Sequence, residues 1–161
     1  MSERPTIIGL IGPAIASYPP EDQRIFAALG ERIASARYRV WAKAVEDDKV
    51  RQQLEACADR EETIATRVEA LRPDAEAVKE RILSAHADIQ DQFFALLDEY
   101  SLREQFSMQA EAERAGAGAW RAYAAAEADE ANAETLRSCA PLEEQNAATL
   151  EAIVASMPQP S

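Results

Sequence analysis

Four glutamates carry most of the chemistry this chain can be asked to do. Glu31 and Glu113 each fall early in a long amphipathic stretch, and Glu61 and Glu143 each fall midway along the stretch that follows. Glu61 belongs to a regular apolar seam, Val50, Leu54, Cys57, Glu61, Ile64, Val68 and Leu71, spaced by alternating steps of four and three. That spacing is one face of a helix, so Glu61 takes a core position and Glu62 the flank. Glu143 sits in the matching seam, Leu136, Cys139, Glu143, Asn146, Leu150, Ile153 and Met157. An inward carboxylate is costly unless a metal, a proton or a cationic side chain compensates it. Arg37, on the broad apolar face of the first stretch, is the sequence's candidate for such a cation.

The four acids are related by a repeat. Residues 31–71 lie on residues 113–153 without a gap at a constant offset of 82, and 14 of the 41 aligned positions are identical. Glu31 falls on Glu113, Cys57 on Cys139, Glu61-Glu62 on Glu143-Glu144, and Tyr38 and Trp41 on Trp120 and Tyr123. Two related helical hairpins follow, and pseudo-twofold packing of the pair would bring the four acids together.

The elements that must position them read as five helices. Pro19-Pro20-Glu21-Asp22 starts the first, about 21–47, with Phe26, Leu29, Ile33, Val40 and Ala44 on its face. Asp47-Asp48 caps the second, about 49–72, which Arg72-Pro73 ends. A connecting helix spans about 74–99 and carries His86, the only histidine, which reads as a satisfied or surface residue. Ser101-Leu-Arg-Glu104 is a capping box for the fourth helix, about 102–128. Its face is predicted to carry Met108, Glu111, Ala115, Ala119, Ala122 and Ala126, and Ala115-Gly-Ala-Gly-Ala119 reads as a site of close helix packing or, as the alternative, of room for something else. The fifth helix, about 131–156, contains Pro141 and should kink within a turn of Glu143. Residues 1–20 read as a non-helical apolar arm, because Gly9, Gly12 and Pro13 interrupt the run Thr6–Ala16. With no net positive charge in Ser2-Glu3-Arg4, that arm does not read as a signal peptide.

Composition sets the outer limits. The chain has 161 residues, enough for one domain with a real core. It is rich in Ala and Glu with only five Gly, which favours an all-α protein. A formal charge of −12 disfavours nucleic acid and anionic membrane surfaces as partners. No apolar run approaches the ~20 residues that span a bilayer. Two cysteines do not make a disulfide framework, and a cytoplasmic setting is expected. Cys57 and Cys139 each precede their Glu by four residues. In the bundle implied by the resemblance described next, these helices run antiparallel and the two cysteines fall about 12 Å apart, beyond disulfide reach, so both are expected as free, buried thiols.

The first helix resembles that of rubrerythrins and other ferritin-like proteins, through Gly30-Glu31, Arg37-Tyr38 and Trp41-Ala42. The second and fifth helices are similar to that family's metal-binding helices, with Glu61 and Glu143 in its Glu-x-x-His frame. The resemblance spans about residues 21–157. It implies a ferritin-like four-helix bundle of two hairpins with an added crossover helix. It also implies a carboxylate site for two ions of Fe or Mn, held by Glu31, Glu61, Glu113 and Glu143. Asn146 would be a weak oxygen ligand and Glu111 an extra carboxylate. The departure is plain: Ile64 and Asn146 stand where the family has histidine, and no Cys-x-x-Cys pair is present. An all-oxygen set suits Mn, Mg, Ca or Fe better than Zn or Cu. Two readings stay open: a rubrerythrin-like oxidoreductase with an undefined small-molecule substrate, and a metal-free bundle acting as a structural or protein-binding module. A homodimer is expected in either case.

Overall fold

A computed structural model describes residues 3–159, and among these every regular element is a helix. There are eight: α1 (Ile7–Ala16), α2 (Pro20–Ala44), α3 (Asp48–Glu69), α4 (Ala75–Ala85), α5 (Ile89–Asp98), α6 (Leu102–Ala126), α7 (Glu130–Arg137) and α8 (Ala140–Ser156). Among the described residues no helix is long and apolar enough to cross a membrane.

Two hairpins make the frame. α2 packs along α3, α6 packs along α7 and α8, and α3 packs on α8. Local chemistry repeats with the sequence. Asp47 caps α3 by accepting from the Val50 amide, and Asp129 caps α7 by accepting from the Asn132 amide. Arg32 clamps Glu69 with two hydrogen bonds, as its counterpart Arg114 clamps Glu151. Ser101 and Glu104 form the expected capping box at the start of α6.

Four expectations are corrected. The N-terminal arm contains a helix, α1: the Thr6 hydroxyl caps it by accepting from the Gly9 amide. Pro13 forfeits only one helical bond, to the carbonyl of Gly9, which is exposed and open to water. The connecting helix is two helices, broken at His86. There the imidazole leaves the helical course to pack on Phe26 and Tyr18, at centroid distances of 5.2 and 5.8 Å, with Nε2 3.1 Å from the Tyr18 hydroxyl. The last helix is not continuous: it is interrupted at Ser138-Cys139, about a turn before Glu143, and divides into two. Pro141 has no N–H to offer the preceding turn, so α7 ends at Arg137, and α8 restarts with the proline in its first turn, where it is tolerated.

The fourth correction concerns phase. α6 buries Phe106, Gln109, Ala110, Glu113, Ala117, Trp120 and Ala124, while Glu111, Ala115, Ala119, Ala122 and Ala126 are exposed. In α2, Phe26, Leu29 and Ile33 are buried as expected, but Val40 is 46% exposed and Ala44 is also outside. Val40 and Ala44 lie on the outer face of α2, since Trp41 and Ala42 between them are buried.

The core forms two apolar clusters. One gathers Phe26, Ile33, Trp41, Leu54, Cys57, Phe106, Ala110 and Leu150 around α1, α4 and α5; the other gathers Ala28, Ile64, Val68, Ala117, Trp120, Leu136 and Ala140. α3, α6 and α8 each pass from one cluster to the other across their glutamates, while α2 lies mainly in the first cluster and adds Ala28 to the second. The acids are the layer between two oily compartments.

Candidate metal centre

Glu61 and Glu143 are buried to 0% and 1% exposure, and Glu113 to 1%. Glu31 is partly buried as a residue. Glu31, Glu61 and Glu143 each direct one carboxylate oxygen into a common space, all three within 4.8 Å of one another. Glu113 borders this trio and adds its negative charge to each member. The sequence register that made Glu61 inward and Glu62 lateral matches the structure, where Glu62 pairs with Arg32 at the flank.

Among the described residues no basic side chain bonds any of the four acids, whose donors are Tyr38, Gln109, Trp120 and Asn146. Arg37 is buried, but it bonds Asp98 at 2.6 Å and Gln105 at 2.7 Å and lies over Trp41 and Phe94. The expectation that it neutralises the acids is therefore wrong. It stands almost two turns beyond Glu31, and its long side chain runs to the other end of α6. Glu111 is exposed and pairs with Arg4, so it adds nothing to the site. His86 also lies elsewhere, against Tyr18.

The donors that serve the acids come from groups the sequence did not assign. Trp120 Nε1 donates to Glu143 at 2.8 Å and to Glu31 at 3.2 Å. The Tyr38 hydroxyl donates to Glu113 at 2.6 Å, and Gln109 Nε2 donates to the same oxygen at 2.8 Å. Tyr38 and Trp120 are repeat equivalents, each seven residues after its hairpin's first glutamate. That spacing is two helical turns on one face, and it is the feature from which both donors could have been read.

Asn146 is turned away from a ligand's role. Its Nδ2 donates to Glu61, and its Oδ1 accepts from Arg60 Nε at 2.6 Å. Arg60 can only donate, so the amide's orientation is fixed. Asn146 holds Glu61 in place and presents no oxygen to the centre. Glu143 gains from a different source: it lies in the first turn of α8, where the helix dipole favours a carboxylate.

Gly116 makes the room that Glu143 needs. A Cβ at that position would stand 2.6 Å from Glu143 Oε1 and 2.9 Å from its carboxyl carbon. The Ala115–Ala119 stretch packs close to α8 through Gly116 and the buried Ala117. It leaves space for a carboxylate and, along its outer edge, for a cavity.

Burial, followed by mutual repulsion, raises Glu61 and Glu143 well above the usual carboxylate range. Burial also raises Glu31, though hydrogen bonds from its neighbours hold it back. Tyr38 is pushed up by burial and by Glu113, so it remains a donor. Cys57 and Cys139 are free and buried, and burial pushes both thiols up to about 11. As neutral thiols they are core packing, with little thiolate to react.

Two acceptors of the cluster have no donor. Glu61 Oε2 and Glu113 Oε2 are both buried without a hydrogen-bond partner. A buried charged oxygen without a donor is costly, and a cation or a proton is what such an oxygen calls for.

No protein-family model matches this chain, and neither a curated protein nor a solved structure matches it at a significant level.

Proposed function

We propose that this chain is a ferritin-like, rubrerythrin-related bundle whose buried carboxylates hold a hard divalent cation, iron or manganese, between its two hairpins. The single observation that carries this reading is the convergence of Glu31, Glu61 and Glu143 within 4.8 Å, with neutral side chains as their hydrogen-bond donors. The donor set fits such an ion. It is all oxygen, Glu61 Oε2 and Glu113 Oε2 await a partner, and Gly116 keeps open the space for the Glu143 carboxylate. The trio suffices for one ion, and a second would draw on Glu113. Iron or manganese bound there would supply redox chemistry toward dioxygen or peroxide.

The chain's own residues have separate parts. Trp120 orients Glu31 and Glu143 together, Tyr38 and Gln109 fix Glu113, and the Arg60–Asn146 relay fixes Glu61. Such outer partners normally set ligand orientation and basicity. The two apolar clusters pack on either side of the layer.

Elemental analysis of protein purified without chelators or a metal-affinity column tests the reading. The expected result is iron or manganese at one or two equivalents per chain, lost in Glu61→Ala. A second reading is favoured by the donors already present and by the raised acids: a metal-free bundle in which shared protons compensate the cluster. Absence of ion after loading with Fe(II) or Mn(II), with Glu61→Gln stabilising the fold, would establish that second reading.

A further inference from the structure

A cavity of about 340 Å³ lies between α1, α2 and α6. Two hydrogen bonds set α1 across it: Arg4 reaches Glu111 of α6 at one end, and at the other Gln23 Nε2 donates to the Tyr18 carbonyl. The lining runs the whole of α1, from Ile7 to Ala16, and on α2 from Gln23 to Ala34, about 16 Å at a helix's rise per residue. The two ends differ. Ile7, Ile33, Ile89 and Phe93 are all buried and close one end with apolar surface, with the exposed Ile8 as its outer lip. At the other end Ala16 and Ala119 are exposed and Gln23 and Tyr123 are half-buried, so this end is open and polar. Gln109, Glu113 and Glu143 border the cavity but are only 4%, 1% and 1% exposed, so they present almost nothing to it; the half-buried Glu31 is the acid with surface to offer.

We infer that this cavity binds one unbranched hydrocarbon chain, with a neutral polar end at Tyr123 and its methyl end among Ile7, Ile33 and Phe93. Shape, charge and polarity fix that choice. Spread over about 16 Å, 340 Å³ leaves a cross-section of about 20 Å², the girth of a single chain and too slim for a compact ring of the same size. An apolar cavity of roughly 150 Å³ holds benzene, so this volume suits on the order of twelve carbons. Among the described residues no Lys, Arg or His lines the cavity, and Arg24, beside Tyr123, is paired with Glu127. A carboxylate head group would therefore meet Glu31 without a counter-charge. Tyr123 supplies the polar contact. Its ring rests on Trp120 at a centroid distance of 5.6 Å, and burial pushes its hydroxyl up, so it stays protonated and can donate to a ketone or ester oxygen. The inference stands on the cavity alone and holds whether or not the carboxylates carry an ion.

Calorimetric titration of the chelator-treated full chain with 2-octanone, 2-decanone, 2-dodecanone and 2-tetradecanone tests it. Affinity is expected to rise about fourfold per methylene as far as 2-dodecanone and then to level off. Cyclododecanone, with as many carbons in a compact ring, and dodecanoate, with a charged head, should each bind about tenfold more weakly than 2-dodecanone or worse. Tyr123→Phe should weaken 2-dodecanone about fivefold, as one hydrogen bond allows. Ala115→Phe, at the exposed rim, should fill the groove and abolish binding while circular dichroism confirms the helices. Affinity that keeps climbing to 2-tetradecanone, or equal binding of cyclododecanone, would overturn the single-chain shape. Preference for dodecanoate would overturn the charge argument, and parental affinity in Tyr123→Phe the orientation. No binding of any ketone, or binding indifferent to Ala115→Phe, would overturn the site itself. So would a homodimer that binds no ketone and that Ala115→Phe splits in sedimentation velocity, since a second copy would then be the occupant.

Discussion

The two hairpins share their acids and differ in what surrounds them. In the first, Ile33, Ala34 and Arg37 are all buried, and α3 runs unbroken past Glu61. In the second, the equivalent positions are Ala115, Gly116 and Ala119, and the helix carrying Glu143 begins only one turn before it. The first hairpin is filled by its own side chains. The second is hollowed, and the space goes to the Glu143 carboxylate and to the cavity under α1. The pair shows how a duplicated unit can diverge: one copy becomes scaffold, and the other lends volume to a site between them.

Changes at Trp120 should strain this contrast most. Trp120→Ala removes a fully buried ring and is expected to destabilise by about 3–5 kcal/mol in chemical denaturation. Trp120→Phe keeps most of the packing and isolates the lost N–H. If it matched the alanine variant, the ring's packing would be ruled out as the main term.

Acidity comes next. The folded-state values of Glu61, Glu143 and Glu31 are raised, so the metal-free native state holds protons that the unfolded chain releases. Stability of the metal-free protein should therefore fall as pH rises above the ordinary carboxylate range and through the raised values. Glu61→Gln should flatten that slope and raise the melting temperature at neutral pH. Saturating Mn(II) should raise stability in the parent protein and not in the variant.

Asn146→Ile would give the second hairpin the first hairpin's Ile64. It strips Glu61 of its donor and Arg60 of its acceptor, at an expected cost of about 1–3 kcal/mol. Paired with Glu61→Leu, much of that cost should disappear, which a double-mutant cycle measures. Additive costs would show that the two residues are uncoupled.

Gly116→Ala installs the first hairpin's Ala34. The helix gains up to about 1 kcal/mol from propensity, while the new methyl group displaces the Glu143 carboxylate. The expected outcome is an equal or higher melting temperature together with at least tenfold weaker metal binding by calorimetry. Smallest of all are the equivalent clamps. Arg32→Ala should cost below about 1 kcal/mol, since its pair with Glu69 is partly shielded. Arg114→Ala, in the exposed counterpart, should be close to silent in the same melts.

How much of this was legible in the sequence depended on side-chain contrast. In α3, Leu54, Cys57, Ile64 and Val68 stand out from charged neighbours, so the seam and the inward Glu61 could be read directly. In α6, alanine and glycine occupy both faces, and periodicity gave the wrong phase, with Glu111, Ala115 and Ala119 inward. The repeat register held the right answer: Glu31, Tyr38 and Ala42 map onto Glu113, Trp120 and Ala124, all three buried. Asn146 was read as a missing histidine, but its partner Arg60 is 86 residues away and on another helix. No local pattern announces such a pair. α1 was hidden by its glycines and proline, whose cost is offset by packing that only the folded hairpins provide.

The crossed donors have a consequence for how the chain reaches this state. Tyr38 of the first hairpin serves Glu113 of the second, 75 residues on, and Trp120 of the second serves Glu31 of the first, 89 residues back. The first hairpin cannot satisfy its own acids, since Glu31 and Glu61 take their donors, Trp120 and Asn146, from the second. It can zip up quickly by itself, but only with unpaired carboxylates on its inner face, which disfavours docking against anything except the reciprocal partner. Assembly of the layer is then the late, long-range step that sets the folding rate, and it acts as a proofreading step that accepts only one alignment of the two halves.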